Sequence, residues 1–254
     1  MTSLVERLRA AGCVFAEEEA AVLVGADGDL DALVARRVAG EPLEQVVGWA
    51  AFAGLRVAVA PGVFVPRRRS EFLVSQALAV LPTGAVVVDV CCGTGAIGAA
   101  LLAARPGLVL HAADDDPAAV ACARGNLLGA AGVHQGDLLA ALPRDLAGRV
   151  DVVVASTPYV PSDAVAAMPA EAREHEPHAA LDGGGDGLDV VRRLADQAPA
   201  WLRAQGHLLV ECAGHQAAAA REALAGAGFT AAVARDEERD ATVVGGVLAR
   251  RDPG

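Results

Sequence analysis

Apolar residues recur at helical spacing three times before residue 40. Leu4, Val5, Leu8 and Ala11 form the first run, Ala20, Leu23 and Val24 the second, and Leu30, Leu33 and Val34 the third. Gly12, Gly25, Gly28 and Gly40 punctuate them, which predicts a small helical bundle over residues 3–39. From Val46 to Pro66 the period changes to two. Phe52 to Val59 alternates as a strand does, with Gly48 and Gly54 at turn positions, so a β-hairpin is expected. Ser70, ahead of Glu71-Phe72-Leu73-Val74, reads as a helix N-cap.

Beyond residue 70, continuous apolar runs at Val86–Val90, Leu108–Ala113, Val150–Ala155 and Gly206–Cys212 alternate with helical patterns at Ile97–Ala104, Ala118–Leu128 and Leu188–Leu202. Strands that are apolar throughout and separated by helices imply a parallel sheet covered on both faces. Phe229–Ala234 and Thr242–Ala249 follow as a strand pair around the polar loop Arg235–Asp240, which places an antiparallel strand at the sheet end. The expected fold is α/β: a mostly parallel sheet over residues 67–254. A small helical domain (1–45) precedes it, joined by a linking β-hairpin (46–66).

Composition narrows the partners. Hydrophobic residues make up 54% of the 254, enough for a sizeable core. Against 32 acidic residues stand 21 basic ones, a net charge of −11, and binding of a long phosphate backbone depends on Lys and Arg replacing counterions. No DNA partner is therefore expected. The one dense basic cluster, Arg67-Arg68-Arg69, reads as a solvated loop. Five cysteines (Cys13, Cys91, Cys92, Cys122, Cys212) show no paired ligand spacing, so free thiols and no metal are expected. Glu6, Arg7 and Arg9 interrupt the first helix and no long apolar run follows, so the expectation is a soluble cytoplasmic protein without membrane contact.

The candidate chemistry sits at strand ends. After Val86-Val87-Val88 comes Asp89-Val90-Cys91-Cys92-Gly93-Thr94-Gly95-Ala96-Ile97-Gly98, leading into a helix. Glycines allow a sharp turn and close backbone approach to a ligand facing a helix N-terminus. Gly93, Gly95 and Gly98 match the dinucleotide spacing, so glycines alone leave that ligand open. The second strand runs into Asp114-Asp115-Asp116, placed to accept hydrogen bonds from a ribose hydroxyl pair, with a solvated turn as the plain alternative. Gln135-Gly136-Asp137-Leu138 offers a carboxylate to an adenine amino group. Asp89 would repel a pyrophosphate but suits the positive methionine end of S-adenosyl-L-methionine, which favours that cofactor.

The strand Val150–Ala155 ends in Ser156-Thr157-Pro158-Tyr159, which resembles the Asn-Pro-Pro-Tyr signature of amino-methylating enzymes. Glu176-Pro177, Ala180-Leu181-Asp182-Gly183-Gly184 and Asp186-Gly187-Leu188-Asp189 continue the likeness, as do Gly206 to Glu211, Gly40-Glu41-Pro42 and Phe64-Val65-Pro66-Arg67. Together they resemble the class I protein-(glutamine-N5) methyltransferases that modify peptide chain release factors. That resemblance implies an S-adenosyl-L-methionine-dependent enzyme built on a seven-stranded, mostly parallel, Rossmann-like sheet. Asp89, Cys91, Cys92, Gly93, Thr94 and Gly95 would surround the methionine part of the cofactor, Asp114 and Asp115 the ribose, and Asp137 with Leu138 the adenine. Ser156, Thr157, Pro158 and Tyr159 would form the substrate slot, with Ser156, Pro158 and Tyr159 catalytic and Ser156 also beside the cofactor. The helical domain would help dock a release factor-like protein substrate.

Three departures stand out. Arg68-Arg69-Ser70 occupies the place of the family's Pro-Glu-Thr, Cys91-Cys92 that of Gly and a small polar residue, and Ser156-Thr157 that of Asn-Pro. An amide nitrogen is a weak nucleophile whose methylation needs well-placed acceptors. Serine offers one hydroxyl where asparagine offers an amide edge, and a lost hydrogen-bond partner costs about 1–3 kcal/mol. Two alternatives stay open beside glutamine methylation: a small-molecule N-methyltransferase of specialised metabolism, taking an amine or amide, and a cofactor-binding protein with weakened catalysis.

Overall fold

The computed structural model describes residues 3–128 and 131–249. Its helices are α1 (Leu4–Ala10), α2 (Ala16–Val24), α3 (Leu30–Val38), α4 (Leu43–Val47), α5 (Glu71–Val80), α6 (Ala96–Ala104), α7 (Pro117–Asn126), α8 (Ala170–His175), α9 (Asp189–Trp201) and α10 (Ala217–Gly226). Its strands are β1 (Trp49–Phe52), β2 (Leu55–Ala58), β3 (Val86–Val90), β4 (Val109–Asp114), β5 (Ala131–Gln135), β6 (Val150–Ala155), β7 (Leu202–Cys212), β8 (Phe229–Asp236) and β9 (Ala241–Leu248). β1 and β2 form the expected hairpin. The other seven form one sheet in the order β5-β4-β3-β6-β7-β9-β8.

β3 to β7 run parallel, and β9 is antiparallel to both its neighbours. The period of two decides which core each side chain joins. Val88, Val90, Val153 and Ala155 pack with Leu194 and Leu224, on the face carrying α9 and α10. Val87, Val152 and Val154 pack with Leu73, Leu101 and Leu127 on the other face. A separate apolar cluster joins Leu8, Ala16, Leu23, Val34 and Val46. It is tied to the rest by Arg37, whose guanidinium contacts Glu19 and Glu171, and by Gln45 Nε2, which donates to the carbonyls of Val63 (3.0 Å) and His175 (3.2 Å).

The antiparallel strand does not lie at the sheet end as expected. β9 inserts between β7 and the edge strand β8. β9 is buried along most of its length while β8 is half-exposed, so the more apolar strand takes the interior place. Ser70 precedes α5 but makes no capping hydrogen bond, because its backbone is already helical and its side chain turns to Glu211.

Candidate active site

The C-terminal ends of β3, β4, β5, β6 and β7 meet at one cavity of about 350 Å³, where ligands sit in open sheets of this kind. At one end Asp114, the last residue of β4, accepts from the backbone N–H groups of Gly93 (2.9 Å) and Asp116 (3.1 Å). Burial pushes its carboxyl up and these two bonds pull it back, so the acceptor is fixed at the strand tip. Cys91 and Gly93 line the same end, and Gly93 has open space on its cavity side, with the Phe64 carbonyl 4.0 Å from where a Cβ would stand. Gly136, Asp137 and Leu138, which follow the neighbouring β5, line the cavity as well. Asp137 is held by Arg193 of α9 at 2.6 Å, a partner that the solvent-facing side of a helix pattern had given no reason to single out.

Four residues expected beside the cofactor do not line the cavity: Asp89, Cys92, Thr94 and Gly95. Asp89 is fully buried beneath the loop, where one carboxylate oxygen accepts from Gly98 N (2.9 Å) and the other has no partner. Burial first, with Asp114 adding repulsion, pushes its carboxyl up to about 8. The charge argument drawn from Asp89 is thereby corrected, since a buried and largely protonated carboxyl supplies little field to the cavity. Its geometric part is to hold the start of α6. Cys92 and Thr94 are buried, and Gly95 precedes α6 as its N-cap at φ +76°.

At the other end of the cavity lie Ser156, Thr157, Pro158 and Tyr159. Ser156 Oγ donates to Glu211 Oε2 across 3.4 Å, from the end of β6 to that of the neighbouring β7. Glu211 is 2% exposed, and burial raises its pKa against the opposing donors Ser70, Arg69 and Ser156. Arg69 Nε lies 3.4 Å from Glu211 Oε1 without hydrogen-bond alignment, and its guanidinium covers the Tyr159 ring at 5.4 Å. Burial pushes the Tyr159 phenol up to about 12, so it stays neutral. Thr157 is 2% exposed and its Oγ1 has no hydrogen-bond partner. The solvated-loop reading of the arginine run holds only for Arg68. Arg67 and Arg69 line the cavity, and Arg67 pairs with buried Glu176 at 2.6 Å.

The segment Ala180–Asp189 buttresses this turn. Val160 bridges to Asp182, and a Cβ on Gly183 would come within 2.6 Å of the Pro158 carbonyl. One on Gly187 would collide with the Tyr159 carbonyl. Gln216, 4% exposed, donates to the carbonyls of Tyr159 (2.8 Å) and Asp186 (2.9 Å), clamping the two segments together. Neither Gln216 nor Arg193 carries a local sequence signal. Glu211 carried a weak one, as an acidic residue at the end of an apolar strand.

The methyltransferase small domain family matches residues 54–186. A release factor glutamine methyltransferase from Mycolicibacterium smegmatis is 44% identical over 186 residues, which are 70% of this chain and 64% of that relative. A second of the same description, from Streptomyces coelicolor, is 41% identical over 219 residues, 79% of this chain and 78% of the relative. The chain thus spans slightly under two thirds of the first relative's length and over three quarters of the second's. Among solved structures, a methyltransferase from Pyrococcus furiosus superposes with a TM-score of 0.59 at 14% identity, over 78% of this chain and 90% of that one, a likeness of fold.

Proposed function

The chain belongs to the release factor glutamine methyltransferase family, and on that premise we propose that it is an S-adenosyl-L-methionine-dependent N-methyltransferase acting on a glutamine side-chain amide of a release factor-like protein. One observation carries the reading: a single cavity is lined at one end by Asp114 and Gly93 and at the other by Ser156 to Tyr159. A donor and an acceptor can therefore lie end to end.

The residues present suit the cofactor. Asp114, fixed by two backbone donors, keeps lone pairs for a ribose hydroxyl pair. Leu138 and Ala119 offer apolar faces to a base, and Asp137, though shared with Arg193, an acceptor at its rim. When bound, the cofactor supplies an electrophilic methyl group. The protein's part is orientation. In this reading Tyr159 would pack beside the acceptor, the backbone carbonyl of Thr157 would accept from one amide N–H, and Ser156 Oγ would accept from the second. Residues 1–45 form the docking domain in this reading. Exposed Val14 (83%) and Phe15 (66%) support it as an apolar surface available to a protein partner.

The test is incubation with methyl-labelled cofactor and a release factor carrying a Gly-Gly-Gln loop, followed by peptide mapping. Label on that glutamine is expected. Label on small amines, with none on the protein, would favour the small-molecule alternative.

A further inference from the structure

Resting on the reading of the slot just given, we propose that Glu211 is a positioning residue, which accepts the hydroxyl hydrogen bond of Ser156 so that Ser156 presents only lone pairs to the substrate N–H groups. A serine hydroxyl has one proton and two acceptor sites, and which of them faces a ligand depends on its other partner. Ser156 lines the cavity, and the side-chain partner it has is Glu211 Oε2 at 3.4 Å. That separation is long for O–H···O, as hydrogen bonds in a site often are before substrate closes on them. Glu211 is 2% exposed and is approached by Ser70 and by Arg69, groups that bring protons to it. Burial raises the Glu211 pKa while these donors and Ser156 favour the ionised form, in which the carboxylate accepts and Ser156 donates to it. Pointed the other way, the Ser156 proton would meet the protons of a substrate NH2. The device offsets the departure from asparagine. It also applies to asparagine itself, whose NH2 would donate to Glu211 and turn its carbonyl toward the slot.

Two measurements on the whole chain test this. The first needs no turnover. Carboxyl 13C NMR of labelled Glu, with the Glu211 signal assigned by its loss in Glu211→Gln, gives the titration midpoint of Glu211 with and without Ser156→Ala. Removing a donor to the ionised form is expected to raise the midpoint, and an unchanged midpoint overturns the coupling. The second compares methylation of a release factor by Ser156→Ala, Glu211→Gln and the double variant, with thermal unfolding to confirm that each is folded. Glu211→Gln is expected to lose about tenfold in kcat/KM, and the double variant no more than Ser156→Ala alone. Ser156→Asn is expected to be active with Glu211 present and impaired beside Glu211→Gln. Multiplicative losses in the double variant would show that the two residues act independently and overturn the proposal. If the wild type methylates no glutamine while the NMR coupling holds, the acceptor assigned under Proposed function falls and the hydrogen bond stands.

Discussion

Asp114 Oδ2 stands 2.9 Å from the backbone nitrogen of Gly93, so the carboxylate that ends β4 also holds the loop that follows β3. One side chain thereby couples the shape of the glycine loop to the ribose acceptor. Asp114→Ala removes both functions. Hydrogen bonds to charged groups contribute about 1.5–3 kcal/mol each, so calorimetry with S-adenosylhomocysteine is expected to show affinity lower by about a hundredfold or more. Asp114→Asn keeps one acceptor oxygen and is expected to lose about tenfold.

Asp89 links the loop to stability rather than to ligand charge. Its folded pKa of about 8 lies above the ordinary value of 3.8, because burial disfavours the ionised form. The folded state therefore binds a proton that the unfolded chain has released between these two values. Stability from this group is full below pH 3.8 and is lost as pH rises through about 8. Asp89→Asn keeps an acceptor for Gly98 N and never ionises. Its melting temperature relative to wild type is expected to improve from pH 6 to pH 9, and a constant difference would contradict the assignment.

Thr157 Oγ1 is buried without a partner, an arrangement that costs the free protein about 1–3 kcal/mol. Thr157→Val keeps the shape and removes the hydroxyl. Urea unfolding is expected to show equal or higher stability. If substrate recruits the hydroxyl, KM for the protein substrate rises while cofactor affinity is unchanged.

Arg37 ties α3 to α2 and α8 through Glu19 and Glu171, with only 9% of its side chain exposed. Removing one member of a buried pair leaves the other charge uncompensated, at about 3–5 kcal/mol. Arg37→Met is expected to destabilise strongly in urea unfolding, and Glu19→Gln added to it to recover much of the loss.

Much of the frame was legible because continuous apolar strands announce themselves. β3 and β6 begin and end where Val86–Val90 and Val150–Ala155 did in the sequence. The helix α10 was not legible. Its sequence Ala217-Ala-Ala-Ala-Arg-Glu-Ala-Leu-Ala-Gly226 contrasts weakly between faces, and only Leu224 marks the buried side among larger residues. The place of β9 inside β8 depends on tertiary pairing that no local pattern encodes. In the site, Asp114 and Ser156 to Tyr159 follow from strand ends, and a strand end fixes where a side chain emerges. Asp89 misled because it belongs to the strand itself, where the alternation turns it into the core and burial removes its charge. Arg69 misled in the opposite sense, since a run of arginines looks solvated until Tyr159 and Glu211 are seen beneath one of them.

The most direct measurement is mass spectrometry of a release factor after incubation with the protein and S-adenosyl-L-methionine, read at the glutamine of its Gly-Gly-Gln loop. A mass gain of one methyl group on that side-chain amide, lost when Tyr159 is replaced by Ala, is the expected result. An unmodified glutamine in a protein that binds the cofactor normally would contradict the assignment of Ser156 to Tyr159 as a glutamine slot.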